Sequence, residues 1–154
     1  MTPRIAVTAG DPRGIGPEII TKALADQKVG GRSDLVIVGP SGCAVECDVV
    51  IGEWKSGGDA ATAGRLAGLA IERAVSMAMS DEVQGIVTAP IDKAALHAGG
   101  YDFPGHTEML AELTHSRVAM MLAQMIASGG EGSNPLRVVL VTTHIPLRDV
   151  VSAL

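Results

Sequence analysis

Short segments that are apolar on both faces constrain this chain more than any other feature. Six short segments read as strands, Arg4–Ala9, Asp34–Gly39, Asp48–Gly52, Gly85–Ala89, Val118–Leu122 and Arg137–Thr143, and several of these are apolar on both faces. They are rich in Val and Ile and bounded by glycine, proline or charge. A strand whose neighbouring positions are all apolar has no face to offer to water, so its sheet has to be covered on both sides. Helical patterns lie between these segments. Pro17–Asp26 has Pro17 in its first turn and Ile19, Ile20, Ala23 and Leu24 along one face. Asp59 stands where an N-cap is needed for a long helix reaching Met79. Ile91–Ala98 is a shorter helix ended by Gly99 and Gly100, and Thr107–Thr114 is another. This alternation predicts an α/β fold, with a mostly parallel sheet and flanking helices.

The 154 residues suffice for a sizeable core, and with aromatics at only 2% that core has to be built from Ala, Val, Ile, Leu and Met. A net charge of −5 without a long basic tract argues against nucleic acid as a partner. It leaves room for a phosphorylated small molecule, which needs only a local cationic pocket. The opening residues Met1–Val7 carry no apolar signal region, and no run of apolar residues is long enough to span a bilayer. A cytoplasmic protein with no membrane partner is expected. Cys43 and Cys47, spaced C-x3-C, have no histidine near them in sequence and are expected to be reduced thiols rather than a zinc site. Residues 128–135, rich in glycine and serine, read as a solvated connection.

Four motifs can carry chemistry, and each stands where the chain leaves a strand or loop for a helix. In Thr8-Ala9-Gly10-Asp11-Pro12-Arg13-Gly14-Ile15-Gly16-Pro17-Glu18 a strand runs into a glycine loop. Such a loop can hold an anion on backbone N–H groups, with Asp11 and Gly14 lining the pocket. Its glycine spacing matches neither the dinucleotide fingerprint nor the P-loop, and a tight strand-to-helix turn accounts for it equally well. In Thr88-Ala89-Pro90-Ile91-Asp92-Lys93, Asp92 and Lys93 can reach a pocket at the carboxyl ends of the strands. Alternatively Asp92 serves only the first helical turn. His106-Thr107-Glu108 offers an imidazole and a hydroxyl to a phosphate or carboxylate, beside the small Gly105. The alternative is Thr107 as a simple N-cap. His144 ends the last Val-rich segment, where a neutral imidazole is a good ligand for a divalent metal. His97 and His115 read as surface or helix-end residues.

The chain end is unusual. Pro146–Leu154 begins like a helix with Leu147, Val150, Val151 and Leu154 on one face, and stops there without a C-cap. An uncapped apolar stripe points to a chain cut short.

Taken in order, Gly10-Asp11-Pro12-x-Gly14-Ile15-Gly16-Pro17-Glu18, Ala89-Pro90-Ile91-x-Lys93, Gly105-His106-Thr107-Glu108, Met120-Met121-Leu122-Ala123 and Thr143-His144-Ile145-Pro146-Leu147-Arg148-Asp149 resemble the 4-hydroxythreonine-4-phosphate dehydrogenase family. These are oxidoreductases of pyridoxal 5′-phosphate biosynthesis. The resemblance implies a two-domain fold like isocitrate and isopropylmalate dehydrogenases, with 1–115 as most of the first domain, 116–154 as the start of the second and the remainder missing. It implies a homodimer with active sites at the subunit interface. It implies NAD or NADP and a divalent metal (zinc, magnesium or cobalt), with oxidation and decarboxylation of 4-phosphooxy-L-threonine to 3-amino-2-oxopropyl phosphate. Carried over by motif, His106 and Thr107 bind the substrate and His144 is a metal ligand. Two other readings stand beside it: a related dehydrogenase for phosphorylated threonate or erythronate, and a non-catalytic fragment that associates with full-length subunits.

Overall fold

The computed structural model describes residues 2–26, 34–124, 136–142 and 145–154. The chain divides into two compact units, 1–116 and 117–154.

The first unit is built on four parallel strands, β1 (Arg4–Thr8), β2 (Asp34–Ser41), β3 (Val49–Glu53) and β4 (Gly85–Thr88), in the order β3-β2-β1-β4. Ala6 pairs with Val36 on one side and Ile86 on the other, which fixes which residues share a face. Helix α1 (Gly16–Ala25) covers one face, where Ile20 packs with Val7, Ala9, Ile37 and Ala89. The long helix α2 (Ala60–Met79) covers the other, where Ala70, Ala74 and Met77 pack with Ala6, Val36 and Val38. The expected N-cap is in place: the Asp59 carboxylate accepts the Thr62 N–H at 2.7 Å.

A third layer lies outside α2. Helices α3 (Lys93–Ala98) and α4 (His106–Thr114) close over it, with Met109 buried against Ile71 and Val75. The approach is close because Gly64 presents no side chain; a Cβ there would sit 1.8 Å from the Ala95 carbonyl oxygen. Small residues on α2 thus replace the aromatic bulk that the composition withholds.

The second unit holds a two-stranded antiparallel sheet, β5 (Met121–Ala123) and β6 (Arg137–Val139), then a 3-10 turn at Leu147–Asp149 and a short helix α5 (Val150–Ala153). Both strands are shorter than the apolar runs that predict them. Pairing runs only between Met121–Ala123 and Arg137–Val139, so Val118 and Val141 fall outside the ladder. The helix expected from Pro146 opens as 3-10 and becomes α-helical only at Val150.

Candidate active site at the carboxyl ends of β1 and β4

The strand order sets the position of the site. From β1 the chain moves outward to β2 and β3, then α2 carries it back to β4 on the other side of β1. The order reverses between β1 and β4, and open α/β sheets bind ligands outside the carboxyl ends of strands at that point. Two of the four motifs leave the sheet here. Gly10, at φ +72, turns the chain directly against the second exit; a Cβ at that position would lie 2.3 Å from the Pro90 carbonyl oxygen. The Asp11 N–H donates to the same oxygen at 3.1 Å, pinning the two exits together.

An open cleft of about 390 Å³ sits over this junction, lined by Asp11, Arg13, Gly14, Ile15, Pro90, Ile91 and Asp92. Arg13 organises it. Its Nη2 donates to Asp11 Oδ2 at 2.7 Å and to Asp92 Oδ2 at 3.1 Å, while its Nε donates to Asp11 Oδ1 at 3.1 Å. The hydrogen bond to Asp11 holds the guanidinium above its ordinary pKa. Asp92 serves two elements at once, since its Oδ1 also accepts the Ala95 N–H at 3.1 Å and caps α3. That backbone hydrogen bond keeps its carboxyl below the usual carboxylate range. Two carboxylates meet one guanidinium, so the cleft favours hydrogen-bond donors and cations. The glycine loop also spends its N–H groups internally: Arg13 N–H goes to Asp11 Oδ1 and Gly14 N–H to the Asp11 carbonyl. Those two amides are therefore committed to the turn rather than held out to an anion.

The anion-favouring side is next door. Lys93 follows Asp92 and turns toward the start of α4, away from the residues lining the cleft. The point a Gly105 Cβ would occupy lies 4.0 Å from Lys93 Nζ and 3.7 Å from Glu108 Oε2. Gly105 is the N-cap of α4 and supplies no side-chain cap, so the helix opens on free N–H groups and a positive dipole end. Thr107, expected as either a ligand group or the cap, stands exposed in the first turn rather than at the cap. The capping alternative falls because the backbone enters the helix one residue before His106. His106 is half-buried, its Nε2 is enclosed without a hydrogen-bond partner, and burial pushes its pKa down.

The structure thus gathers Asp11, Gly14 and Asp92 around one cleft, and Lys93, His106 and Thr107 around one helix start. His144 lies outside the described residues. Arg13 is the residue that sequence reasoning missed; an arginine two residues from Asp11 in a turn was the available signal. Thr8 is a second, fully buried at the end of β1 with its hydroxyl unpartnered. Among the described residues no group of three or more His, Cys, Asp or Glu side chains converges as a metal site requires. No helix among them is long and apolar enough to cross a membrane.

A parallel α/β sheet with polar side chains gathered at its switch point defines the ligand-binding class of this fold. The chain matches the family described as pyridoxal phosphate biosynthetic protein PdxA over residues 18–154, and it belongs to that family. It is 37% identical over 190 residues to D-threonate 4-phosphate dehydrogenase of Pectobacterium atrosepticum, a match covering 100% of this chain and 55% of that protein. It is 36% identical over 176 residues to 4-hydroxythreonine-4-phosphate dehydrogenase of Synechococcus sp. (strain JA-3-3Ab), covering 97% of this chain and 50% of that protein. The crystal structure of a 4-hydroxythreonine-4-phosphate dehydrogenase from Burkholderia phymatum superposes with a TM-score of 0.78 at 31% identity, over 99% of this chain and 53% of that one. The corresponding enzyme from Klebsiella pneumoniae gives 0.75 at 33% identity, over 97% and 54%. The α/β fold with a mostly parallel sheet is therefore the one these structures share. The chain spans about half the length of the relatives it matches.

Proposed function

We propose that this chain supplies one part of a metal-dependent NAD(P) dehydrogenase that oxidises and decarboxylates 4-phosphooxy-L-threonine in pyridoxal 5′-phosphate biosynthesis. The observation that carries this reading is the pairing of two unlike surfaces at Asp92-Lys93. The α4 start, with free N–H groups and Lys93 beside it and Glu108 opposite, offers donors to a phosphate or carboxylate. The carboxylate-rich cleft suits a hydroxyl or ammonium donor. A phosphorylated amino or hydroxy acid carries both kinds of group. In this reading His106 and Thr107 hold the substrate's anionic end, and Asp11, Gly14 and Asp92 line the adjoining cleft. His144 is one metal ligand, the others coming from sequence beyond this chain, together with most nucleotide contacts. The domain assignment is part of the same proposal: residues 1–115 form most of a first domain and 116–154 begin a second. The working protein is a cytoplasmic homodimer.

A second substrate is favoured by a specific observation. The relative from Pectobacterium is named for D-threonate 4-phosphate, in which a hydroxyl replaces the amine. The cleft accepts either donor.

Three measurements test the proposal. The 154-residue chain alone should form no NAD(P)H from either substrate with divalent metal present; turnover by it would refute the division of the site. Joined to the second half of the Pectobacterium relative, it should oxidise one of the two substrates in preference. A chimera that melts cooperatively yet binds neither would sink the substrate class. In an active chimera, Thr107→Ala should lower kcat/KM about tenfold or more, the loss of one hydrogen bond to a charged group. Its melting temperature should stay unchanged because Thr107 caps nothing. The opposite pattern, a lower melting temperature with kcat/KM intact, would make Thr107 structural.

A further inference from the structure

Outside the candidate site, one pair of nucleophiles stands together. Cys43 and Cys47 lie on the loop between β2 and β3, and their sulfurs are 3.8 Å apart. Both are free and half-buried. The loop curls so that both reach the same two carbonyl oxygens: Cys43 Sγ is 3.1 Å from Pro40 O and 3.2 Å from Val45 O, and Cys47 Sγ is 3.6 and 3.7 Å from them. A cavity of about 470 Å³, lined by Ser41–Cys47 and Val50, leads from solvent to the pair. No third metal-ligating side chain joins them among the described residues, so the arrangement is a dithiol and not a metal cluster.

We propose that Cys43 and Cys47 are a reversible redox pair that closes to an intramolecular disulfide by exchange with a small disulfide of the glutathione type. A disulfide needs its sulfurs about 2.05 Å apart. Two sulfurs already in contact close that gap by side-chain rotation, in a loop that carries no ladder hydrogen bonds to break. Cys43 is the attacking group. The hydrogen bond from Cys47 favours its thiolate and draws its pKa below the ordinary 9.0 against the opposing effect of burial, while Cys47 is pushed up. In the first step the Cys43 thiolate attacks one sulfur of the small disulfide, forming a mixed disulfide and releasing one thiolate. In the second, Cys47 gives up its proton and attacks Cys43 Sγ, releasing the other thiolate. The two cysteines lose two electrons and two protons, and the small disulfide is reduced to two thiols.

The pair is wired to its surroundings. A Cβ placed on Gly39 would lie 2.9 Å from Cys47 Sγ and 2.6 Å from Ala9 Cβ, so sulfur and methyl pack together over that glycine. Ala9 leads directly into Gly10 and the cleft. On the other side, Ser41 accepts the N–H of Trp54, the only tryptophan and a buried one, at 2.8 Å.

The test equilibrates the 154-residue chain with mixtures of reduced and oxidised glutathione, once under native conditions and once in urea. Trypsin then releases residues 33–55, which contain both cysteines. The native chain should lose two hydrogens from this segment and recover them in dithiothreitol. Its equilibrium should favour the disulfide about tenfold more than in urea, because the fold holds the sulfurs together. Cys47→Ser should stop at a stable glutathione adduct on Cys43. Cys43→Ser should stop likewise at an adduct on Cys47 and form no intramolecular disulfide. Equal equilibria in native buffer and urea would overturn the proposal, as would thiols that stay alkylatable under oxidising conditions or disulfides formed only between chains.

Discussion

The two units, 1–116 and 117–154, use the same residue types in opposite ways. In the first, Leu66, Ile71, Leu96 and Met109 are almost wholly shielded from water, because α1, α2 and the α3–α4 layer each find an apolar partner within the unit. In the second, Leu122 is 58% exposed and Val141 78% exposed, and no described residue is buried. A two-stranded sheet has no second layer of its own to hide its apolar faces. An apolar pattern states what a strand needs covered; it does not state that the same chain supplies the cover.

The largest expected effect breaks or confirms this contrast directly. Leu66→Ala should destabilise the chain by about 2–5 kcal/mol, the range for emptying a packed core site. Leu122→Ala should change it by no more than about 0.5 kcal/mol, as an exposed substitution does. Urea unfolding of the two variants measures both. Comparable losses would mean that the second unit carries a share of the core and that the contrast is false.

A smaller effect sharpens the picture of the first unit. Helix α2 is the middle layer, in contact with the sheet and with α3 and α4, and Asp59 is its side-chain cap. Asp59→Ala should cost about 0.5–2 kcal/mol, and Asp59→Asn, which can still accept the Thr62 N–H, should recover most of it. No loss on Asp59→Ala would show that packing alone fixes the start of the helix.

The same contrast explains what was legible in the sequence. Strands β1, β2 and β4 and helix α2 fall within about two residues of where their apolar periods put them, a usual margin for strand and helix ends. Their periods are imposed by partners present in the unit. Strands β5 and β6 are shorter than their apolar runs, because the length of a strand is set by its neighbour and not by its own composition. At the candidate site, the first two motifs fall on the loops that leave the sheet after β1 and β4, since glycine and proline at strand ends are local signals. The bond from Arg13 to Asp92 joins residues 79 apart in sequence, and no local pattern encodes it. The sequence pattern puts the start of α4 one residue late, because a threonine there looks like a cap while the backbone already turns at Gly105.

The smallest effect concerns His106, at the start of α4. Its Nε2 is enclosed without a partner, and burial lowers its pKa from the ordinary 6.5. Between that lowered value and about 6.5 the unfolded chain binds more protons than the folded one. Stability contributed by the neutral imidazole is therefore complete above about pH 6.5 and is lost as pH falls through this window. Carboxylates titrate further down and add their own slope, so the comparison has to be a difference. His106→Gln cannot titrate. The gap in unfolding free energy between the native chain and His106→Gln should narrow as pH is lowered from about 7 to about 5. The direction matters for function as well as stability, because a neutral imidazole at pH 7 can turn one nitrogen to a ligand as donor or acceptor, whereas an imidazolium only donates. A gap that stays constant with pH would mean that His106 is solvated in the folded chain. It would then be one more exposed histidine, and the α4 start would lose its claim to a shielded binding group.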